Sequence, residues 1–122
     1  MGGVDERTTA AGRRLATYGS LAPGRANHYQ LAALRGSWRE GGVRGRLVEA
    51  GWGAALGYPA LVLDPDGVDV PVHVLESDAL PDHWARLDEH EGSDYRRVVV
   101  TVSTLEGELD ASIYELADDA RP

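Results

Sequence analysis

Leu80-Pro81-Asp82-His83-Trp84-Ala85-Arg86-Leu87-Asp88-Glu89-His90-Glu91-Gly92 is the stretch whose reading decides the fold. Ser77 or Asp78 precedes it as an N-cap, and Pro81 sits in the first turn, where a missing N–H costs little. Gly92 supplies the C-terminal stop, so the expected helix runs to about Glu91. Leu80, Trp84, Leu87 and Glu91 are spaced i, i+4, i+7 and i+11. At about 100° per residue they fall within roughly 60° of arc. The three apolar side chains commit this stripe to a core, while Asp82, Arg86, Glu89 and His90 lie off it.

Strands surround this helix. Arg14 to Tyr18 reads as a short first strand running into the turn Gly19-Ser20-Leu21-Ala22-Pro23-Gly24. Asn27 is placed to cap a first helix with apolar Leu31, Ala32 and Leu34, ended by Gly36. Two short β segments follow, around Ser37–Glu40 and Val43–Glu49, and then an irregular glycine-rich stretch, Ala50–Gly57. Pro59–Leu63 is a strand, Asp64-Pro65-Asp66-Gly67 a tight turn, and Val68–Leu75 the returning strand with alternating valines. Pro71 inside that strand suggests an edge or a bulge. After the second helix, Tyr95–Ser103 turns through Leu105-Glu106-Gly107-Glu108 into Leu109–Leu116. Strands and helices do not alternate as in a doubly wound fold. The class is α+β, with a sheet expected to curl around the second helix.

A chain of 122 residues is one domain, here residues 14–117, with 1–13 read as a disordered lead-in and 118–122 as a loose tail. No run reaches the roughly 20 apolar residues of a membrane span. The first fourteen residues lack the apolar core of a secretory signal, so a cytoplasmic location is expected. The absence of cysteine excludes disulfides, thiolate nucleophiles and cysteine zinc sites. All twelve basic residues are arginine, which excludes Schiff-base lysines and the Walker lysine. The net charge is −8, with eight arginines against three acids in residues 1–46 and ten acids against Arg86 alone in residues 64–94. An acidic total argues against a nucleic-acid partner. The basic N-terminal third is suited to attracting a small anion.

Two features carry chemistry. Glu91 shares the core-facing stripe and stands at a helix C-terminus; desolvation and the helix dipole both disfavour its charged form. A carboxyl poised toward neutrality is what a general acid/base needs. If the helix ended early, Glu91 would instead lie in a loop and pair with Arg96 or Arg97. The second feature is Tyr18-Gly19-Ser20-Leu21 directly after a strand. Gly19 frees the backbone, successive N–H groups can converge on an anion, and Ser20 adds a hydroxyl. A plain strand-to-helix connection is the commoner use of a lone Gly-Ser.

Other patterns lead nowhere. Gly51 to Gly57 has the wrong spacing and context for a dinucleotide fingerprint. His28, His73, His83 and His90 form no HExxH and no close ligand pair, so no metal site is expected. Ser20 lacks the nucleophile elbow of a serine hydrolase. Trp38, Trp52 and Trp84 read as packing.

Taken together, the two features resemble the γ-glutamylcyclotransferase-like family. The resemblance rests on Tyr18-Gly19-Ser20-Leu21 with Pro23-Gly24, on Gly57-Tyr58-Pro59-Ala60-Leu61-Val62, and on Leu87-Asp88-Glu89-His90-Glu91-Gly92. Tyr95-Arg96-Arg97-Val98 and Tyr114 complete it, spanning Leu15 to about Leu116. It implies a curled mixed β-barrel with flanking helices. It also implies cofactor-free cyclisation of a γ-glutamyl amine or γ-glutamyl amino acid to 5-oxoproline with release of the amine. Glu91 maps onto the catalytic acid/base. Tyr18, Gly19, Ser20 and Leu21 map onto the substrate loop, and Tyr95 and Tyr114 are expected to border the pocket.

The expected partner is a small zwitterion, its carboxylate at the loop amides and its amine toward Glu91, on a monomer or homodimer. One departure bears on substrate identity. Where many relatives read roughly Val-x-Gly-x-Val-Tyr, this chain has Val68-Asp69-Val70-Pro71-Val72-His73. A non-catalytic carboxylate-binding module and a domain assisting another enzyme are the alternatives. Retention of Glu91 favours the enzyme, because a pure carboxylate binder gains nothing from a second negative group.

Overall fold

The computed structural model describes residues 10–19, 28–50 and 59–121. In chain order these form β1 (Arg14–Thr17), α1 (Tyr29–Ala32), β2 (Ser37–Val48), β3 (Ala60–Leu63) and β4 (Val68–Glu76). A 3₁₀ turn (Leu80–Asp82) then leads to α2 (Trp84–Glu91), β5 (Tyr95–Thr104), β6 (Gly107–Leu116) and a last 3₁₀ turn (Asp118–Ala120). The strand order is β3-β2-β4-β1-β6-β5, and Gly42 of β2 pairs with Ser103 of β5 to close five strands into a barrel, with β3 as a sixth on β2. β1 and β6 run parallel, Leu15 beside Ser112; the other neighbours are antiparallel.

The alternation of side chains along each strand sorts them onto two faces. Ala16, Val74 and Ile113 point into the barrel with Val43, Leu61, Val70, Val72, Val102 and Ala111. Their chain neighbours Leu15, Leu75 and Tyr114 point outward, against Leu31, Leu80, Trp84 and Leu87. The sheet therefore closes on itself, and the expectation that it curls around the second helix is not met. The interior is already filled by strand side chains, and α2 packs outside. Leu80 and Leu87 are fully buried there, each contributing about 2 kcal/mol of transfer free energy.

Several local expectations change. The second helix is split: Asp82 N–H bonds Ala79 O and His83 N–H bonds Leu80 O, both i to i−3, and the α-helical ladder starts with Leu87 N–H to His83 O. A tighter first turn is a common helix entry, and Pro81 has no N–H to contribute there. α1 stops at Ala33, short of Gly36; Asn27, its expected cap, lies outside the described residues. The two β segments around Gly41-Gly42 are one continuous strand, because both glycines pair across β4 with Val72 and Pro71. They also let the barrel close, since a Cβ on Gly41 would press on the Val102 side chain and lie 2.9 Å from Ser103 O. β4 is interior, not an edge. It accommodates Pro71 because β1 ends at Thr17, opposite His73, so that among the described residues no strand lies beside the proline on that side.

The ends are tied more firmly than expected. Residues 10–13, read as lead-in, pack in: Ala11 is buried, its carbonyl accepts from Ser112 Oγ at 2.8 Å, and Gly12 O accepts from Trp84 Nε1 at 2.8 Å. In the tail, Arg121 reaches back to Leu116 O at 3.2 Å and to Glu115 at 3.4 Å. Among the described residues no helix is long and apolar enough to cross a membrane.

Candidate active site

Glu91 is the last residue of α2 and is 8% exposed, on the same face as buried Trp84 and Leu87. Gly92 takes φ +76° and ψ −171°, and its N–H closes the helix on Asp88 O at 3.0 Å. That backbone conformation is almost confined to glycine, so the helix stops where the carboxyl is still covered. Burial pushes the Glu91 carboxyl up to about 7. The arginines that a loop-bound Glu91 would have paired with go elsewhere: Arg97 to Asp88 at 2.9 Å, Arg96 to Glu115 at 2.8 Å.

Tyr18 and Gly19 extend from the end of β1; Ser20 and Leu21, the rest of the expected cradle, lie outside the described residues, as do Gly57 and Tyr58. The Tyr18 hydroxyl donates to Tyr114 O at 2.6 Å and accepts from Leu61 N–H at 3.2 Å. It is a joint between β1, β6 and the free edge of β3. Burial raises its pKa far above the ordinary phenol value; the Leu61 N–H opposes this, and Glu91, Tyr95 and Glu115 add to it. Glu91 therefore stands within electrostatic reach of the residue that opens the loop.

Tyr114 is 4% exposed, and its hydroxyl donates to Asp88 Oδ1 at 2.6 Å. Burial raises its pKa first, the bond to Asp88 next, and the charges of Asp88 and Glu91 add to that against Arg97. Burial also pushes Asp88 up, but hydrogen bonds from Arg97 and Tyr114 outweigh it and hold the carboxyl below its usual value. Tyr95 is half-buried, packed against both the α2 cluster and the one formed by Ala60, Val62 and Leu116. Tyr95 and Tyr114 thus pack with the α2 cluster, Tyr18 packs against the barrel core and is tied to Tyr114 by its hydroxyl, and the charge of Glu91 is felt by Tyr18 and Tyr114. Neither the Tyr18 nor the Tyr114 hydroxyl points to open solvent.

Two acids in this region were not singled out by sequence reading. Asp88 stands three residues before Glu91 on α2. Glu115, 4% exposed, accepts from Leu63 N–H at 3.1 Å and from Arg96 Nε at 3.0 Å. Strand alternation signals the latter, since Glu115 follows Ala111 and Ile113 on the barrel-facing side of β6. Among the described residues no group of three or more histidines and acids could hold a metal ion.

The closed mixed barrel was compared directly with known proteins. Residues 15–122 match the family described as Gamma-glutamyl cyclotransferase, AIG2-like, and the chain belongs to that family. Among solved structures, YkqA from Bacillus subtilis is similar at 28% identity and a TM-score of 0.66, over 85% of this chain but only 35% of that one. The chain therefore spans about a third of YkqA. An uncharacterized protein from Pyrococcus horikoshii is similar at 26% identity and a TM-score of 0.58, covering 88% of this chain and 80% of that one. An AIG2-like protein from Mus musculus has 25% identity and a TM-score of 0.65, covering 86% and 77%. No curated protein matches the chain. Family and fold together support a cyclotransferase-type function.

Proposed function

We propose that this protein cyclises a γ-glutamyl amine or γ-glutamyl amino acid, a small cytoplasmic metabolite, to 5-oxoproline and releases the amine. The observation that carries the reading is the burial of Glu91 at the end of α2, with a carboxyl that changes charge at about 7. Such a group accepts and returns a proton at neutral pH with little penalty in either direction. The substrate's α-amine nitrogen attacks its own side-chain carbonyl carbon. Glu91 takes the proton from the attacking nitrogen and delivers one to the leaving nitrogen as the old C–N bond breaks. The new C–N bond closes the lactam, so atoms and charge balance without a co-reactant.

The amides of Gly19, Ser20 and Leu21 would hold the α-carboxylate or the developing oxyanion. Tyr18, Tyr95 and Tyr114 would wall the site, keeping water out and the substrate folded back, which supplies much of the rate of an intramolecular attack. A zwitterion suits this arrangement, its anionic end at uncharged N–H groups and its ammonium toward an acid.

Incubating the protein with a panel of γ-glutamyl amines and γ-glutamyl amino acids, and measuring 5-oxoproline by mass, tests the proposal. A substrate whose turnover disappears in Glu91→Gln supports it. Absence of 5-oxoproline across the panel, or equal turnover by the variant, overturns it.

A further inference from the structure

The wall beside Glu91 contains an ion pair that the proposed reaction does not use. Asp88 lies one turn before Glu91 on α2, a spacing that sets side chains about 5–6 Å apart at Cβ. The Arg97 guanidinium grips it as a fork, Nε to Oδ1 at 2.9 Å and Nη2 to Oδ2 at 3.2 Å. Oδ1 also accepts the Tyr114 O–H at 2.6 Å. Arg97 Cζ sits 4.3 Å from the centroid of the Trp84 ring, so the same cation rests on the first residue of α2. Helix α2, β5 and β6 each contribute a member to this cluster: Asp88, Arg97 and Tyr114.

We propose that Asp88 is a positioning residue for Glu91: by gripping Arg97 it compensates that cation's charge beside the acid and fixes the helix end that carries it. The kinetic consequences rest on the cyclotransferase reading; the electrostatic ones do not. The phenols of Tyr18, beyond β1, and Tyr114, on β6, feel the charge of Glu91. Behind them stand Tyr95 on β5 and Glu115 on β6, which act on Tyr18, and Asp88 and Arg97, which act on Tyr114. His90 adjoins Glu91 on the helix.

Of these groups Arg97 is the permanent cation. Uncompensated, it would favour the Glu91 carboxylate and draw its titration back toward the ordinary range. An uncompensated Asp88 carboxylate would act in the opposite sense. Joined as a bidentate pair, the two present little net charge to their surroundings; burial is the cause of the Glu91 carboxyl's displacement.

The test titrates Glu91 directly, by the carboxyl-carbon NMR shift of glutamate-labelled protein, in wild type, Asp88→Asn and Arg97→Gln. Wild type should titrate near 7. Asp88→Asn should titrate lower by roughly one pH unit and Arg97→Gln higher by a similar amount. A merely structural pair would loosen the packing in both variants, admit water and lower the midpoint in both. That outcome, or no movement in Asp88→Asn, overturns the proposal. If Asp88→Asn does not fold, Arg97→Gln decides by direction alone: a rise supports, a fall or no change refutes. On a proven substrate, the acid limb of kcat/KM should move with the same signs while KM stays put. Lack of turnover by wild type would sink the proposed function and leave the titration result standing.

Discussion

The Tyr18 hydroxyl donates to the backbone carbonyl of Tyr114 at 2.6 Å, linking the residue after the first strand to the last strand through a side chain, outside the β ladder. The same oxygen accepts the Leu61 N–H, so one phenol seals an edge of β3 that no strand among the described residues covers. Tyr18→Phe keeps the ring and leaves both backbone groups without this partner. A buried amide without an acceptor costs about 1–3 kcal/mol. Urea unfolding should show a loss of that size, and amide exchange at Leu61 should accelerate more than at Val74. Unchanged exchange at Leu61 would show that the joint does not hold the edge.

Glu91→Gln should fold as wild type does and lose turnover by about 10²- to 10⁴-fold, the range ascribed to a positioned general acid/base. The amide matches the carboxyl in shape and cannot carry the proton. Matching thermal unfolding at pH 5 together with a wild-type rate would count against the role.

The same variant should separate from wild type in stability as pH rises. The Glu91 carboxyl holds its proton up to about 7 in the folded protein, against 4.5 for an unburied glutamate. Between those values the folded state binds more protons than the unfolded one, so raising the pH destabilises wild type and leaves the glutamine variant unaffected. The two should coincide near pH 4. Above pH 7 Glu91→Gln should be the more stable by on the order of 3 kcal/mol. Parallel stability curves across pH 4–8 would mean that the carboxyl is not desolvated.

Gly92→Ala tests the helix end. A Cβ there meets nothing within 4 Å, so any penalty is torsional, from φ +76° and ψ −171°. The expected loss is about 1–3 kcal/mol, with a fall in turnover beyond what the stability change explains, because relaxation of Gly92 moves Glu91. Full activity in a destabilised variant would separate the cap from the chemistry.

The helical period made Glu91 legible. Four residues on one stripe committed the acid to a buried face, and the glycine after it marked the helix end. The last hairpin was legible for a similar reason, since Gly107 adopts φ +115° where the turn expected there returns the chain. The barrel was harder. Gly41-Gly42 read locally as a break, and only the opposing strands, far away in sequence, make those glycines the place where the barrel closes. For Glu115 two signals conflict: alternation puts it on the face of Ala111 and Ile113, while its charge reads as solvent-facing, and Leu63 N–H and two arginines draw it in. The Tyr114–Asp88–Arg97 chain could not be foreseen, because it joins residues of three elements and depends on their final packing.

The parallel pairing of β1 with β6 has a consequence in time. Leu15 and Ser112 are about a hundred residues apart, an interval a ribosome covers in roughly 5–20 s. β1 can dock early on β4, which is made sooner, but its other flank waits for the last strand. β6 brings Tyr114, whose carbonyl accepts from the Tyr18 hydroxyl and whose own hydroxyl donates to Asp88. A nascent chain stalled before Gly107 should therefore be digested readily by protease, while one extended past Leu116 and clear of the exit tunnel should resist. Resistance in the stalled chain would show that the earlier strands hold a structure without it. On this view the links from Tyr114 to Tyr18 and Asp88 form together, when β6 zips between its two partners.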